Sequence, residues 1–256
     1  MFSRRIDLNA DVGEAVDEAS LEVERALLDL VTSAHVACGG HAGDEASMEA
    51  TVAAALESSV RVGAHPSYPD PDGFGRRPMD IDAGELRAAL GAQLASLVRI
   101  CRAAGTGVVS VKAHGALYEE VAKGGTAYEA LRDAVRDTLG EDTAMVLPSA
   151  CRATALMLRD GMVAHEEGFC DRAYRSDGGL VRRGIDGAVL SDPAAAAAQA
   201  LSLARGAVVA EDGSVLTMWV DTLCVHGDAP SAVAIATAVR QRMAEAGIEV
   251  VAPAGA

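Results

Sequence analysis

Four apolar runs in this chain stop on a histidine: Val36-Ala-Cys-Gly-Gly-His41, Val62-Gly-Ala-His65, Val109-Ser-Val-Lys-Ala-His114 and Leu223-Cys-Val-His226. Each run is short and rich in small or β-branched residues. Each therefore reads as a strand that hands a reactive side chain to the loop at its end. An open doubly wound sheet gathers its site at the one point where strand order reverses. A closed β/α barrel instead draws its site from the ends of most strands. The repetition predicts an α/β fold whose sheet closes into a barrel, as one domain over residues 1–256.

The periodicity agrees. Strands are expected at Arg5–Leu8, Ser33–Ala37, Arg61–Ala64, Val108–Lys112, Ala144–Leu147, Val163–Glu167 and Leu216–Val225, with a short extra one at Glu249–Val251. Helical periods lie between them, at Glu18–Val31, Glu45–Glu57, Asp82–Ala104, Thr126–Leu139, Ser149–Arg159, Asp192–Ala204 and Pro230–Ala246. This alternation calls for a parallel sheet. No Gly-x-Gly-x-x-Gly follows the first strand, so a dinucleotide fold has no support. Two long loops, Pro66–Asp80 and Arg172–Leu190, carry Gly, Asp and Arg and are expected to be lids or binding loops.

Half of the residues are apolar but only 3% are aromatic, so the core must be built from Ala, Val and Leu. The net charge of −15 argues against nucleic acid or an anionic membrane surface, both of which demand a basic patch. The five cysteines show no Cys-x-x-Cys spacing, and the first residues have too little apolar length for a signal peptide. A cytoplasmic protein with no membrane segment is expected.

In a closed barrel the segments after the strands meet at one mouth. Asp7 and Asn9 alternate with Ile6 and Leu8, which turns two polar side chains into the interior at a cost of about 1–3 kcal/mol each unless they find partners. Asp11, Glu14, His41, His65 and His114 are the candidates for acid–base catalysis, with a capped turn as the alternative for Asp11 and Glu14. Asp44 reads as the N-cap of the helix that follows it. Arg76, Arg77 and Lys112 supply cations for a carboxylate or for phosphates, the alternative being a salt-bridge network. Asn9, Glu167, Asp171, Arg172 and His226 join them as substrate-binding candidates, and Asp70, Asp221 and Asp228 add to the acids around the mouth. Such donors suit a divalent metal, but no His-x3-His or His-Glu-x-x-His spacing fixes its ligands, so a metal is left open. There is no Walker A sequence, so any nucleotide would sit in an unconventional site.

Read together, Asp7-Leu-Asn-Ala-Asp-Val-Gly-Glu14, Ala37-Cys-Gly-Gly-His-Ala-Gly-Asp44, Gly63-Ala-His-Pro-Ser-Tyr-Pro-Asp70 with Gly73-Phe-Gly-Arg-Arg77, Val111-Lys-Ala-His-Gly-Ala-Leu-Tyr118, Glu167-Gly-Phe-Cys-Asp-Arg-Ala-Tyr174 and Val225-His-Gly-Asp228 resemble the LamB/YcsF family. The resemblance runs through nearly the whole chain in order. It implies a seven-stranded barrel of the glycoside hydrolase/deacetylase type. It also implies ATP-dependent opening of 5-oxo-L-proline to L-glutamate, as the A component of 5-oxoprolinase working with B and C subunits. His35 departs from the pattern, which has asparagine there, and puts a ring inside a strand facing the presumed site. Two other readings stay open: a stand-alone metal-dependent deacetylase or amidohydrolase, and a non-catalytic component that binds the lactam.

Overall fold

A computed structural model describes residues 4–227 and 229–253 of the chain. Asp228, expected beyond the last strand, lies outside the described residues. Strands β1 (Arg5–Val12), β2 (Ser33–Ala37), β3 (Arg61–His65), β4 (Ser110–Lys112), β5 (Ala144–Pro148) and β6 (Ala164–Phe169) pair in sequence order, all parallel. A hairpin of β7 (Ala207–Val209) and β8 (Val215–Thr217) follows, and then β9 (Thr222–Val225), which pairs with both β6 and β1. That double pairing closes a seven-stranded parallel barrel. A short β10 (Glu249–Val250) adds to the start of β1.

Helices α1 (Glu18–Leu28), α2 (Glu45–Glu57), α3 (Ala83–Ala103), α4 (Gly115–Ala122), α5 (Thr126–Leu139), α6 (Arg152–Arg159), α7 (Pro193–Ala204) and α8 (Ala232–Glu245) surround it. Their apolar faces meet the outward residues of the strands, and Leu8, Val36, Val62, Val111, Met145 and Leu223 are buried there beside Leu27, Val52, Leu90 and Leu94. No helix among the described residues is long and apolar enough to cross a membrane. Asp44 caps α2 as expected: its carboxylate accepts the Ser47 N–H, and the Ser47 hydroxyl takes the Asp44 N–H in return.

Most barrels of this general type fill the interior with branched apolar side chains. Here the inward positions are polar: Asp7, Asn9 and Asp11 from β1, Ser33 and His35 from β2, Ser110 and Lys112 from β4, Glu167 from β6 and Thr222 from β9. The cost of burying them is offset by mutual bonding. Asp7 accepts from the hydroxyls of Thr32, Ser33 and Thr222, and Asn9 donates to Thr222 and Glu167. Asp7 thus belongs to the floor of the barrel, four positions before Asp11, and does not reach the mouth.

Two expectations need correction. The run Leu216–Val225 is not one strand. Val215–Thr217 folds back antiparallel on β7 and exposes Val215, while Asp221 breaks the run by bonding the backbone of Glu166 in both directions. Helix α4 is not expected from the sequence, because its eight residues give barely two turns of periodicity. It starts directly after His114 and matters for the site through Tyr118.

Candidate active site

At the C-terminal ends of the strands, four side chains from four segments converge. Glu14 comes from the turn after β1, His41 from the turn after β2, His65 from the last position of β3, and His114 from the start of α4. A ligand atom of each lies within 4.8 Å of those of the others. His41 Nε2 lies 2.9 Å from Glu14 Oε1, His114 Nδ1 lies 3.3 Å from the same oxygen, and His65 Nε2 and His114 Nδ1 are 3.0 Å apart. The His41 and His114 rings stack in parallel with centroids 3.7 Å apart.

The loop Pro66–Asp80 closes over this cluster. Phe74 lies edge-on to both His41 and His114. Gly75 packs so tightly against them, at φ +60°, that a Cβ there would stand 3.0 Å from His114 Cδ2 and from His41 Cβ. All three histidines are buried as a result.

The outer hydrogen bonds decide which nitrogens face inward. His65 Nδ1 lies 2.8 Å from the Lys112 carbonyl, and His114 Nε2 lies 2.9 Å from the Phe74 carbonyl. A carbonyl only accepts, so both of these nitrogens carry the hydrogen. In the neutral form of both rings the inward nitrogens, His65 Nε2 and His114 Nδ1, offer lone pairs 3.0 Å apart, next to the Glu14 carboxylate. Burial pushes His65 down to about 3 against the pull of Asp11, so this ring takes no extra proton near neutral pH. Burial works against the Glu14 charge, but the surrounding histidines outweigh it and hold the carboxyl below its usual range. Facing lone pairs beside a carboxylate form a donor set that wants a cation. The residues present therefore fit a divalent metal of the kind that takes imidazole and carboxylate together. The ring orientations are fixed from behind by the two carbonyls.

A second group lies below and beside the first. The Lys112 ammonium sits 3.0 Å from Asp11, 2.9 Å from Glu167 and 3.2 Å from Cys224 Sγ. Burial disfavours its charge, but Asp11, Cys224 and Glu167 raise its pKa well above the ordinary lysine value. Burial likewise opposes the Asp11 charge, and His65 and Lys112 overcome that and hold Asp11 well below the carboxylate range. Tyr118 on α4 donates to Glu167 at 2.7 Å and fixes it from the far side. On another wall Asp171 holds His226 through its backbone N–H and through Nδ1, each at 2.9 Å, and the ring stacks on Phe169. This leaves His226 Nε2 turned away from its carboxylate, at a partly open part of the mouth.

Most of the residues singled out from sequence are thus brought together: Asn9, Asp11, Glu14, His41, His65, Lys112, His114, Glu167, Asp171 and His226. The three arginines stand differently. Arg77 pairs with Asp70 on the exposed outer side of the loop, and Arg76 lies 4.9 Å over the Phe74 ring. Arg172 turns its guanidinium to the carbonyls of Val181 and Ala188 and ties down the second long loop. Tyr118, Thr222 and Phe74 carry the site without having been singled out, although Tyr118 and Phe74 stand inside the quoted motifs. His35 lies beneath Asp11, its Nδ1 4.0 Å from that carboxylate and its Nε2 3.2 Å from Ser110.

The LamB/YcsF family model matches residues 6–256. The A component of 5-oxoprolinase from Methylococcus capsulatus is 44% identical over 255 residues, covering 99% of this chain and 98% of its own length. The crystal structure of a lactam utilization protein from Thermus thermophilus superposes with a TM-score of 0.89 at 34% identity, covering 97% of this chain and all of that one. The catalytic domain of a peptidoglycan N-acetylglucosamine deacetylase from Eubacterium rectale shares the fold alone, with a TM-score of 0.52 at 9% identity over 99% of this chain and 90% of that one. With its motifs in order around one barrel mouth and its relatives matched end to end, this chain belongs to the LamB/YcsF family.

Proposed function

We propose that the chain is the A component of a multi-subunit 5-oxoprolinase, and that with B and C subunits it opens 5-oxo-L-proline to L-glutamate at the expense of ATP. The observation that carries this reading is the mouth itself. It combines a donor set for a cation, a buried ammonium and a carboxylate-held histidine in a chain matched end to end by proteins named as the A component of 5-oxoprolinase.

A five-membered lactam is an unactivated amide, and its products stay tethered and close again readily. Phosphoryl transfer from ATP to the lactam oxygen addresses both obstacles, because water adding to the activated carbon expels the ring nitrogen and leaves an acyl phosphate, and a second water releases phosphate as the carboxyl forms. The chain's residues divide the remaining work. Lys112, anchored by Asp11 and Glu167, places positive charge where negative charge builds on the lactam oxygen. Asp11 is the nearby carboxylate that takes a proton from the attacking water. His226, oriented by Asp171, delivers a proton from Nε2 to the departing ring nitrogen. Glu14, His41, His65 and His114 would hold a divalent metal, which supplies a polarised oxygen and acidified water when bound.

The test is reconstitution with B and C subunits, reading 5-oxoproline-dependent ATP hydrolysis and glutamate release. His41→Ala and Lys112→Ala are expected to abolish both signals, and wild-type rates in both variants would refute the assignment. The facing lone pairs of His65 and His114 also favour a second reading, a metal-dependent amidohydrolase that needs no ATP. Ring opening by the isolated, metal-loaded chain without nucleotide would establish it.

A further inference from the structure

Glu24 is a buried carboxylate on the second turn of α1, and the work assigned above to the site does not use it. Its side chain reaches back to the turn after β1. Oε2 accepts the Gly13 N–H at 2.9 Å and Oε1 accepts the Glu14 N–H at 2.8 Å. Helix α1 does not need it as a cap, because Asp17 already accepts the Ser20 N–H and the Ser20 hydroxyl closes the capping box. Nor is it an economical way to satisfy two amides. A buried carboxylate costs more to desolvate than a neutral acceptor, and this one stands near the like charge of Glu14.

What the carboxylate does provide is geometry. Two consecutive N–H groups held by the two oxygens of one rigid fork fix the peptide plane between Gly13 and Glu14. That plane sets the direction in which Glu14 leaves the backbone. Gly13 lies at φ +77°, so the turn adopts a conformation that a following ordinary residue does not impose. Glu14 in turn reaches both His41 and His114.

We infer that Glu24 is a positioning residue that aims the Glu14 carboxylate at the histidine cluster and so sets its affinity for a divalent metal. This rests on the metal reading of that cluster.

The experiment is calorimetric titration of cobalt(II) into the metal-depleted full chain, together with the visible spectrum of the bound ion, for wild type, Glu24→Gln, Glu24→Asp and Asp17→Ala. Glutamine keeps the shape but sets an NH2 group against an N–H donor. Aspartate keeps the charge but falls one methylene short. Both are expected to weaken cobalt binding by about 10–100-fold, the range for loss of an outer partner of a metal ligand, and to change the spectrum. Asp17→Ala loosens the same helix start and is expected to lower the melting temperature with affinity and spectrum unchanged. Wild-type affinity and spectrum in both Glu24 variants would overturn the inference while leaving the metal reading standing. The same weakening in Asp17→Ala would also overturn it, since the effect would then be general loosening. Failure of the wild type itself to bind cobalt would bring down the metal reading, and this inference with it.

Discussion

Lys112 is the residue on which the interior electrostatics turn. Among the described residues its ammonium is ion-paired to Asp11 and Glu167 at once, with all three side chains largely withdrawn from water. Removing one member of such a group leaves the others charged, buried and unpaired, at a cost of about 3–5 kcal/mol. Lys112→Met is therefore expected to lower unfolding free energy by that amount in denaturant titration. Adding Glu167→Gln to it should restore part of the loss, whereas simple additivity of the two costs would speak against the shared group. The same site gives a pH dependence. His65 is pushed by burial down to about 3, against about 6.5 in an unfolded chain, so the unfolded state binds the proton first. Stability of the metal-free chain should then be full above about pH 6.5 and fall as pH drops below it. Asp11 and Glu14, held below the usual carboxylate range, extend the loss into more acidic solution. A melting temperature that is flat between neutrality and the carboxylate range would contradict this.

At the scale of elements, the loop between β3 and α3 is what covers the histidine cluster. It contributes the Phe74 carbonyl that orients His114, and the Gly75 carbonyl accepts the Ala116 N–H at the start of α4. A methyl group on Gly75 meets His114 and His41 at 3.0 Å in a left-handed backbone, so the loop must lift to accommodate it. Gly75→Ala is expected to cut activity of the assembly by at least about tenfold, since small misplacements of positioning groups carry penalties of this order or more. Thermal stability should fall modestly, because alanine at φ +60° is strained; unchanged activity in this variant would show that the loop does not seal the site. This loop is legible in the sequence by its length and its Gly-Phe-Gly-Arg-Arg pattern, and most strands and helices fall within a few residues of their expected places. The arginines are the residues that draw the eye there, but the contacts with the histidines are made by Phe74 and by backbone. No residue pattern announces that a carbonyl will orient an imidazole. Helix α4 escapes notice for a related reason: two turns are too short to show a period, and Tyr118 gains its meaning only through Glu167 on a strand far away in sequence.

For the whole molecule, the legible feature is the set of histidines at the ends of strands, and closure of the sheet is what gives them a common meaning. The double pairing of β9 brings His226 and Asp171 to face residues from β1, β3 and β4. The polar interior is legible in β1, where Asp7 and Asn9 alternate with Ile6 and Leu8, and at His35 on β2. Elsewhere single residues such as Ser110 and Thr222 carry no sign of which way they point until the barrel is shut. The same closure separates Asp7, at the floor, from Asp11, at the mouth, although both belong to one strand. The central claim is that this mouth opens the lactam within the assembly. The most direct test is the rate of glutamate release from 5-oxoproline by the complex of this chain with B and C subunits, with wild type compared to His226→Asn. Loss of a general acid costs about 10²–10⁴-fold, so a fall of that size in a complex that still assembles is the result predicted. Glutamate release at the wild-type rate by the His226→Asn complex would contradict the claim.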